Sequence, residues 1–265
     1  MFLNNFLYTL LPVVIVKTAC LTLGRQITRN NMKYLGSKNR IAKEILPLML
    51  KHRNNKTWVE PFVGGCNIIN KVKGDRIGAD SNEYLISLLK ELQKGWKPIK
   101  DVTKDLFNDV RKNPDKYEKH IVAYIEILFT FGATWGRGFV GNVNDKVCKG
   151  RDRIGEGYRN ALKTQKEIKG IKFIHSNYQD LEIPENSLIY CDPPYENTTG
   201  YKDDFNHLDF WQWCRNKAKE GHKVFISEYN APGDFKCIWE KELKTPISKN
   251  SKVNKINSEK LFMYE

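Results

Sequence analysis

The sequence lacks the cysteine clusters that mark a disulfide framework or a structural metal site. No two of its six cysteines are spaced as Cys-x-x-Cys, and no cysteine and histidine lie at zinc-ligand spacing. We therefore expect no metal, and the scattered unpaired thiols favour the reducing compartment of a cytoplasmic protein. The cysteines are Cys20, Cys66, Cys148, Cys191, Cys214 and Cys237.

Long apolar runs are also scarce, and the main one covers residues 6–16. It is shorter than the roughly 20 residues that a spanning helix needs, although extension through Leu23 across Lys17 leaves a marginal alternative. No basic side chain precedes it, so it is a poor signal peptide. We expect the functional protein to begin near Met32, with residues 1–31 as an upstream extension and no membrane partner.

Acidic residues are outnumbered, because 44 Lys and Arg face 31 Asp and Glu and leave a net charge of +13. Such a chain attracts polyanions, and nucleic acid is the favoured partner. Charge alone is equally compatible with a merely basic soluble protein or with an anionic membrane surface. Sequence motifs must therefore decide between a nucleic-acid partner, a membrane surface and a merely basic soluble protein.

Short strand-like and helix-like segments alternate from Met32 onward, which predicts an α/β fold with a Rossmann-like, doubly wound, mostly parallel sheet. A terminal antiparallel pair is predicted as well, at 238–243 and 261–264. The predicted strands are 57–59, 76–79, 172–174, 188–191 and 224–227, and the predicted helices are 37–49, one from about 66, 83–93, 104–112, 117–131 and 209–220.

Residues 97–165 interrupt this alternation with two helices and a stretch rich in glycine, asparagine and basic residues. We interpret them as an inserted helical and loop subdomain. The remainder, 32–96 and 166–265, forms the main α/β domain in this interpretation.

A glycine turn, Glu60-Pro61-Phe62-Val63-Gly64-Gly65, follows the first predicted strand. Its glycines allow the backbone to approach a ligand at the carboxyl edge of the sheet. Asp80 ends the next strand about twenty positions later, where an acid accepts hydrogen bonds from ribose hydroxyls. The pattern departs from G-x-G-x-x-G and from the P-loop, so neither a nicotinamide cofactor nor ATP is favoured, and a plain tight turn is the alternative.

The sequence Asp192-Pro193-Pro194-Tyr195 follows the apolar strand 188–191. Two prolines remove two amide donors and leave carbonyls that only accept hydrogen bonds. Such a site suits an amino group, since Asp192 and the Pro193 carbonyl can accept its two hydrogens while Tyr195 stacks on the ring. A proline-stiffened loop without chemistry is the alternative.

In combination and in this order, these motifs resemble the Dam-like (alpha-group) family of site-specific DNA adenine N6-methyltransferases. Residues 33–38, Lys-Tyr-Leu-Gly-Ser-Lys, resemble its N-terminal cofactor motif, and residues 60–65 its central cofactor loop. Asp80-Ser81-Asn82 resembles its ribose-binding acid and residues 192–195 its catalytic motif. The similarity covers about 32–234, and the inserted subdomain falls where the family has its target-recognition region.

The resemblance implies a class I methyltransferase fold, S-adenosylmethionine as cofactor and double-stranded DNA as partner. It also implies methyl transfer to the 6-amino group of adenine by direct displacement after base flipping. The adenine would be held by Asp192, Pro193, Pro194 and Tyr195. The cofactor would be bound by Tyr34, Gly36, Lys38, Glu60, Phe62, Gly64, Asp80, Asn177 and Asp192.

Asn177 in this set stands where the family commonly has an acid, and Asp180 is the nearby alternative.

The inserted region mixes aromatic, glycine and basic residues, which suits phosphate and groove contacts. A solvated charge run around a small aromatic core is the alternative for each of its residues. The predicted DNA contacts are Arg137, Asn142, Lys146, Lys149, Arg151 and Arg153.

We expect a monomer as the default oligomeric state. Two rival functions are compatible with the sequence. One is amino-group methylation of another substrate: the 4-amino group of cytosine, RNA or a glutamine side chain. The other is a DNA-binding relative without catalysis. By the resemblance, Asp rather than Ser or Asn before the prolines favours adenine, and the absence of a Pro-Cys dipeptide disfavours cytosine ring methylation.

Overall fold

A single seven-stranded sheet organises the computed structural model, which describes residues 32–141, 151–196, 205–245 and 255–264. Its strands are β1 (Trp58–Glu60), β2 (Arg76–Asp80), β3 (Ile171–His175), β4 (Leu188–Cys191), β5 (Lys223–Glu228), β6 (Phe235–Thr245) and β7 (Lys255–Tyr264). The α-helices within the described ranges are α1 (Ala42–Leu50), α2 (Glu83–Lys94), α3 (Lys104–Lys112), α4 (Lys119–Leu128), α5 (Arg153–Glu167) and α6 (His207–Lys219). Short 3-10 turns cover Lys38–Arg40, Ile69–Lys71, Pro114–Lys116 and Phe131–Ala133.

The strand order is β3-β2-β1-β4-β5-β7-β6. The first five strands in that order are parallel, and β7 pairs antiparallel with both β5 and β6. The chain moves outward from β1 to β3 and returns to β4 on the other side of β1, so the order reverses between β1 and β4. Ligands bind at the carboxyl ends of the strands at such a reversal. The predicted doubly wound sheet and its terminal antiparallel pair are confirmed.

Alternate residues of the central strands pack on opposite faces of the sheet, as the two-residue period of a strand requires. Leu188 and Tyr190 of β4 join one hydrophobic cluster with side chains of α1, α2, α4 and α5. Ile189 and Cys191 join a second cluster with α6. Both faces of β4 are therefore covered, which explains why all four of its residues are apolar and buried.

The helices of the predicted insertion belong to the first of these clusters. In α4, residue 120 and residues 122–128 are all buried, as is typical of a helix enclosed on every side. Helix α4 packs on α2 and α3, and α5 also packs on α2. Helix α5 runs through the predicted boundary at residue 165, and residues on both sides of that boundary belong to one hydrophobic cluster. Target recognition by residues 97–165 stays a prediction.

The helix predicted from about Cys66 is wrong, because turns and the short 3-10 segment Ile69–Lys71 follow the glycine turn instead. Cys66 adopts a positive φ of 56°, and its N–H donates to the Val63 carbonyl at 2.9 Å. This left-handed residue interrupts the regular backbone geometry of an α-helix. The helix predicted from Ser37 likewise starts as a 3-10 turn at Lys38–Arg40, and α1 begins at Ala42.

Within the described ranges, none of the helices combines the length and the apolar character that a membrane crossing demands. The same ranges contain no group of three or more His, Cys, Asp or Glu side chains placed to hold a metal ion.

Truncation of Ile125 in α4 to alanine tests the shared core, because this side chain is fully buried. We expect a loss of about 2–5 kcal/mol of unfolding free energy in one cooperative transition. Urea unfolding followed by circular dichroism measures it. The matched control is Asn108→Ala on an exposed position of α3, which should change stability by less than about 0.5 kcal/mol. Separate transitions for sheet and insertion would contradict a single core.

Candidate active site

A cleft of about 660 Å³ lies at the carboxyl ends of β1, β2 and β4, where the strand order reverses. It is lined by residues 34–38 before α1, by the glycine turn after β1 and by the segment after β4. The structure thus brings the sequence-predicted catalytic and cofactor residues together around one cleft. These are Tyr34, Gly36, Lys38, Glu60, Phe62, Gly64, Asp80, Asn177, Asp192, Pro193, Pro194 and Tyr195.

A largely buried ion pair joins the first and last segments of this residue set. The Nζ atom of Lys38 lies 2.9 Å from Asp192 Oδ1, and the Lys38 side chain is only 7% exposed. The same ammonium donates to the Gly36 carbonyl at 3.0 Å and lies 4.4 Å from the centre of the Tyr195 ring. Burial raises the pKa of Asp192, and Lys38 partly offsets that rise. Burial alone would lower the pKa of Lys38, but Asp192 and Glu259 outweigh it and raise that pKa.

Glu259 on β7 is a cleft residue that the sequence analysis missed. Its Oε2 accepts a hydrogen bond from the Tyr195 hydroxyl at 2.9 Å and lies 3.8 Å from Lys38 Nζ. The antiparallel pairing of β7 with β5 and β6 brings this position to the cleft. A single glutamate in a segment rich in lysine and asparagine offers no sequence signal of such a contact.

Two further residues missed by the sequence analysis, Glu228 and Tyr229, lie at the end of β5. The carboxylate of Glu228 accepts the N–H of Tyr229 at 2.7 Å and the N–H of Glu196 at 3.3 Å. Burial raises the pKa of Glu228 to about 7. The Tyr229 ring meets the Tyr195 ring edge to face, with centroids 4.7 Å apart. Glu228 thus ties the segment after β4 to β5.

The glycine turn after β1 is held by Asp80, the last residue of β2. One carboxylate oxygen of Asp80 accepts the Gly64 N–H at 3.1 Å, and the other accepts the Asn82 N–H at 3.0 Å. Gly64 has a φ of +45°, and a Cβ there would lie 3.0 Å from the Tyr34 ring. Only glycine allows this turn and this ring to approach so closely. Burial raises the pKa of Asp80 despite the two backbone donors.

Glu60 ends β1 with its side chain in the cleft wall. The Trp58 indole N–H donates to Glu60 Oε1 at 2.8 Å, and both side chains are buried. Burial raises the pKa of Glu60 to about 8, and the hydrogen bond from Trp58 partly offsets the rise.

The opposite side of the cleft is aromatic. Phe62 contacts the rings of Tyr178, Phe205 and Phe210 with centroids 5.3, 5.9 and 5.8 Å apart. Phe62, Tyr178 and Phe205 thus line the cleft with aromatic rings, which suit contact with a base or adenosine. Asn177 lines the cleft beside them, whereas its sequence alternative Asp180 is not among the lining residues.

The predicted DNA-contact residues within the described ranges do not line this cleft. Arg137 lies exposed in the loop 131–139, Arg151 pairs with Glu156 at 2.6 Å, and the Arg153 guanidinium lies 5.8 Å from the Phe131 ring. The other predicted contacts, Asn142, Lys146 and Lys149, fall outside the described residues.

A buried carboxylate of α4 holds the loop that carries Arg137. Glu126 accepts the Gly136 N–H at 3.0 Å and pairs with the Arg111 guanidinium at 2.9 Å. Arg111 also donates to the Arg137 carbonyl at 3.0 Å. In the same loop Phe131 and Trp135 leave 55% and 45% of their surface exposed. The loop therefore presents aromatic and basic side chains on a fixed backbone.

Comparison with known proteins identifies DNA methyltransferases as relatives. The type II methyltransferase M.FokI of Planomicrobium okeanokoites and the modification methylase StsI of Streptococcus sanguinis are each 24% identical over 210 residues. That match covers 71% of this chain and 32% of each relative, so the chain spans about a third of their length. The type II methyltransferase M.MjaIII of Methanocaldococcus jannaschii is 26% identical over 243 residues, covering 75% of this chain and 84% of the relative.

The solved structure of SMU.472 complexed with SAH aligns with this chain. The alignment covers 86% of this chain and 52% of the SMU.472 chain. Its sequence identity of 15% and TM-score of 0.36 are too low to support a conclusion about this chain. The family model for D12 class N6 adenine-specific DNA methyltransferases matches residues 34–256. That range covers most of the sequence and contains every catalytic and cofactor residue predicted above. The chain therefore belongs to the D12 class N6 adenine-specific DNA methyltransferase family.

Proposed function

We propose that this chain transfers the methyl group of S-adenosylmethionine to the 6-amino group of adenine at a specific site in duplex DNA. The observation that carries the proposal is the position of Asp192-Pro193-Pro194-Tyr195. This segment shares one cleft with the glycine turn of β1 and with Asp80, at the reversal of strand order. The family membership supports the same reaction.

The residues of the cleft fit S-adenosylmethionine. Each carboxylate oxygen of Asp80 accepts one backbone N–H and keeps a second lone pair for a ribose hydroxyl. The aromatic surface at Phe62 suits the cofactor adenine, with Asn177 as a polar neighbour. Glu60, ionised on binding, suits the cationic methionine end of the molecule. When bound, S-adenosylmethionine supplies the methyl group and a sulfonium leaving group.

The segment after β4 holds the target amine in this proposal. Asp192 accepts one amino hydrogen, the Pro193 carbonyl accepts the other, and Tyr195 stacks on the adenine ring. These two acceptors orient the nitrogen lone pair, so the protein contributes position and electrostatics and needs no covalent nucleophile. The Lys38 ammonium at 2.9 Å keeps Asp192 ionised as an acceptor despite its burial.

Duplex DNA is the proposed partner of the basic chain, and the target adenine must flip out of the helix to reach Asp192. We propose residues 97–165 as the target-recognition region. Support comes from the loop 131–139, which exposes Phe131 and Trp135 and carries Arg137, with Arg151 and Arg153 on the neighbouring segment. Asn142, Lys146 and Lys149 are proposed as DNA contacts from the sequence of the inserted region alone. A monomeric, cytoplasmic enzyme completes the proposal.

Tritiated S-adenosylmethionine and unmethylated DNA, followed by nucleoside analysis, test the proposed reaction. We expect labelled N6-methyladenine from the wild type and a loss of about 100-fold or more in Asp192→Asn, because the anionic acceptor is removed. The matched control is Asp75→Asn, an exposed acid at the amino end of β2, which should keep wild-type activity. Label in cytosine or in RNA, or no label in nucleic acid, would refute the proposal.

The role of Asp80 in cofactor binding is tested by Asp80→Asn. We expect the Kd for S-adenosylmethionine to rise about tenfold, because a charge-assisted hydrogen bond to the ribose is lost. The rate at saturating cofactor should stay within about threefold of the wild type, since Asp80 does not touch the target amine. Isothermal titration calorimetry and steady-state kinetics measure the two quantities, again with Asp75→Asn as control. An unchanged Kd would exclude Asp80 from the ribose site.

The raised pKa of Glu60, about 8, predicts a pH dependence of cofactor affinity. A cationic ligand beside Glu60 favours the ionised carboxylate, so binding releases a proton at pH values below that pKa. Affinity should therefore fall as the pH is lowered from about 8 to about 6, by up to about tenfold per pH unit. Calorimetry in buffers of different ionisation enthalpy measures the released proton.

Glu60→Gln should flatten this pH dependence relative to the wild type. The control Glu185→Gln removes an exposed carboxyl at the amino end of β4 and should leave the dependence unchanged. An identical pH profile in wild type and Glu60→Gln would show that Glu60 does not face the cationic end of the cofactor.

A further inference from the structure

The Tyr195 hydroxyl lies between two carboxylates of the cleft. It donates to Glu259 Oε2 at 2.9 Å, and the other carboxylate, Asp192, contacts the same Lys38 ammonium as Glu259. A phenol has one O–H to donate, so at any moment only one of these acids receives the proton in a strong hydrogen bond.

Asp192 already has one donor from the protein, because Lys38 Nζ lies 2.9 Å from its Oδ1. In the proposed reaction Asp192 must also accept a hydrogen from the target amine. A second protein donor, the Tyr195 hydroxyl, would share the lone pairs of the remaining carboxylate oxygen with the amine and so weaken the hydrogen bond that the amine makes.

Glu259 is placed to prevent that competition. It is held in register on β7, which pairs on one side with β5 and on the other with β6. Its side chain is only 15% exposed, and Lys38 Nζ lies 3.8 Å away and compensates its charge. The ammonium of Lys38 also lies over the Tyr195 ring, at 4.4 Å from its centre. Glu259 therefore has a fixed backbone, a compensating cation in Lys38 and a hydrogen-bond donor in the Tyr195 hydroxyl.

We propose that Glu259 is a positioning residue that draws the Tyr195 hydroxyl away from Asp192 and so leaves one Asp192 oxygen open to the amine of the target base. The inference rests on the proposed function. By fixing the hydroxyl, Glu259 also fixes the plane of the Tyr195 ring on which the base stacks. Glu259 acts through Tyr195 and does not itself touch the base.

A set of variants separates this role from a structural one. Glu259→Leu removes the acceptor, and we expect kcat to fall about tenfold while the Kd for S-adenosylmethionine stays within about threefold. Glu259→Gln keeps an acceptor oxygen for the hydroxyl and should retain most of the rate. Glu242→Leu, the same change at an exposed position of β6, is the matched control and should behave as the wild type.

The decisive variant is the double change Glu259→Leu with Tyr195→Phe. Phenylalanine keeps the stacking ring but has no hydroxyl to compete for Asp192. We expect the double variant to be about as active as Tyr195→Phe alone and faster than Glu259→Leu alone, a coupling that a double-mutant cycle measures. A double variant as slow as the product of the two single effects would overturn the proposal.

A crystal structure of Glu259→Leu tests the same idea without any reaction. We expect the Tyr195 hydroxyl to donate to Asp192 at about 2.7 Å in that variant. A hydroxyl that stays more than about 3.5 Å from Asp192 would overturn the inference. The two proposals fail separately, because a wild type that does not methylate adenine refutes the proposed function, whereas this structure still decides where the hydroxyl goes.

Discussion

The buried ion pair between Lys38 and Asp192 is the interaction on which the site depends. It joins the segment before α1 to the segment after β4, and Glu259 on β7 adds a third element around the same ammonium. Removal of one member of such a pair leaves the other charge in a largely buried place without its partner, which destabilises the site. One cation therefore both holds three distant parts of the chain together and keeps the acceptor of the proposed reaction ionised.

Acidic side chains gather at the cleft, whereas the chain as a whole is basic. Four acids whose pKa burial raises, Glu60, Asp80, Asp192 and Glu228, lie at the carboxyl edge of the sheet. The chain as a whole carries a net charge of +13. A cationic cofactor would favour the ionised form of these acids, and the basic chain suits a polyanionic partner outside the cleft. The two proposed ligands are thus distinguished by electrostatics as well as by shape.

The loop proposed to face DNA is built on the same core as the proposed cofactor site. Glu126 of the buried helix α4 holds this loop, and α4 packs on α2, which begins just after Asp80. Tyr84, in the first turn of α2, meets Trp135 of this loop with ring centroids 5.4 Å apart, so the proposed target-recognition loop contacts the helix that follows Asp80. The boundary predicted at residue 165 falls inside α5, and the helices of residues 97–165 share one hydrophobic cluster with α1, α2 and the sheet.

The sequence by itself determined the α/β class, the strands β2 and β4, and the motifs at 60–65 and 192–195 that line the cleft, because each of these signals is local. A strand period, a glycine turn and a proline pair are set by neighbouring residues. Tertiary structure alone decided the contacts of Glu259 and Tyr229, and it replaced the helix expected at Cys66 with turns. Those outcomes depend on strand pairing and close packing between segments far apart in the chain, which no local pattern encodes.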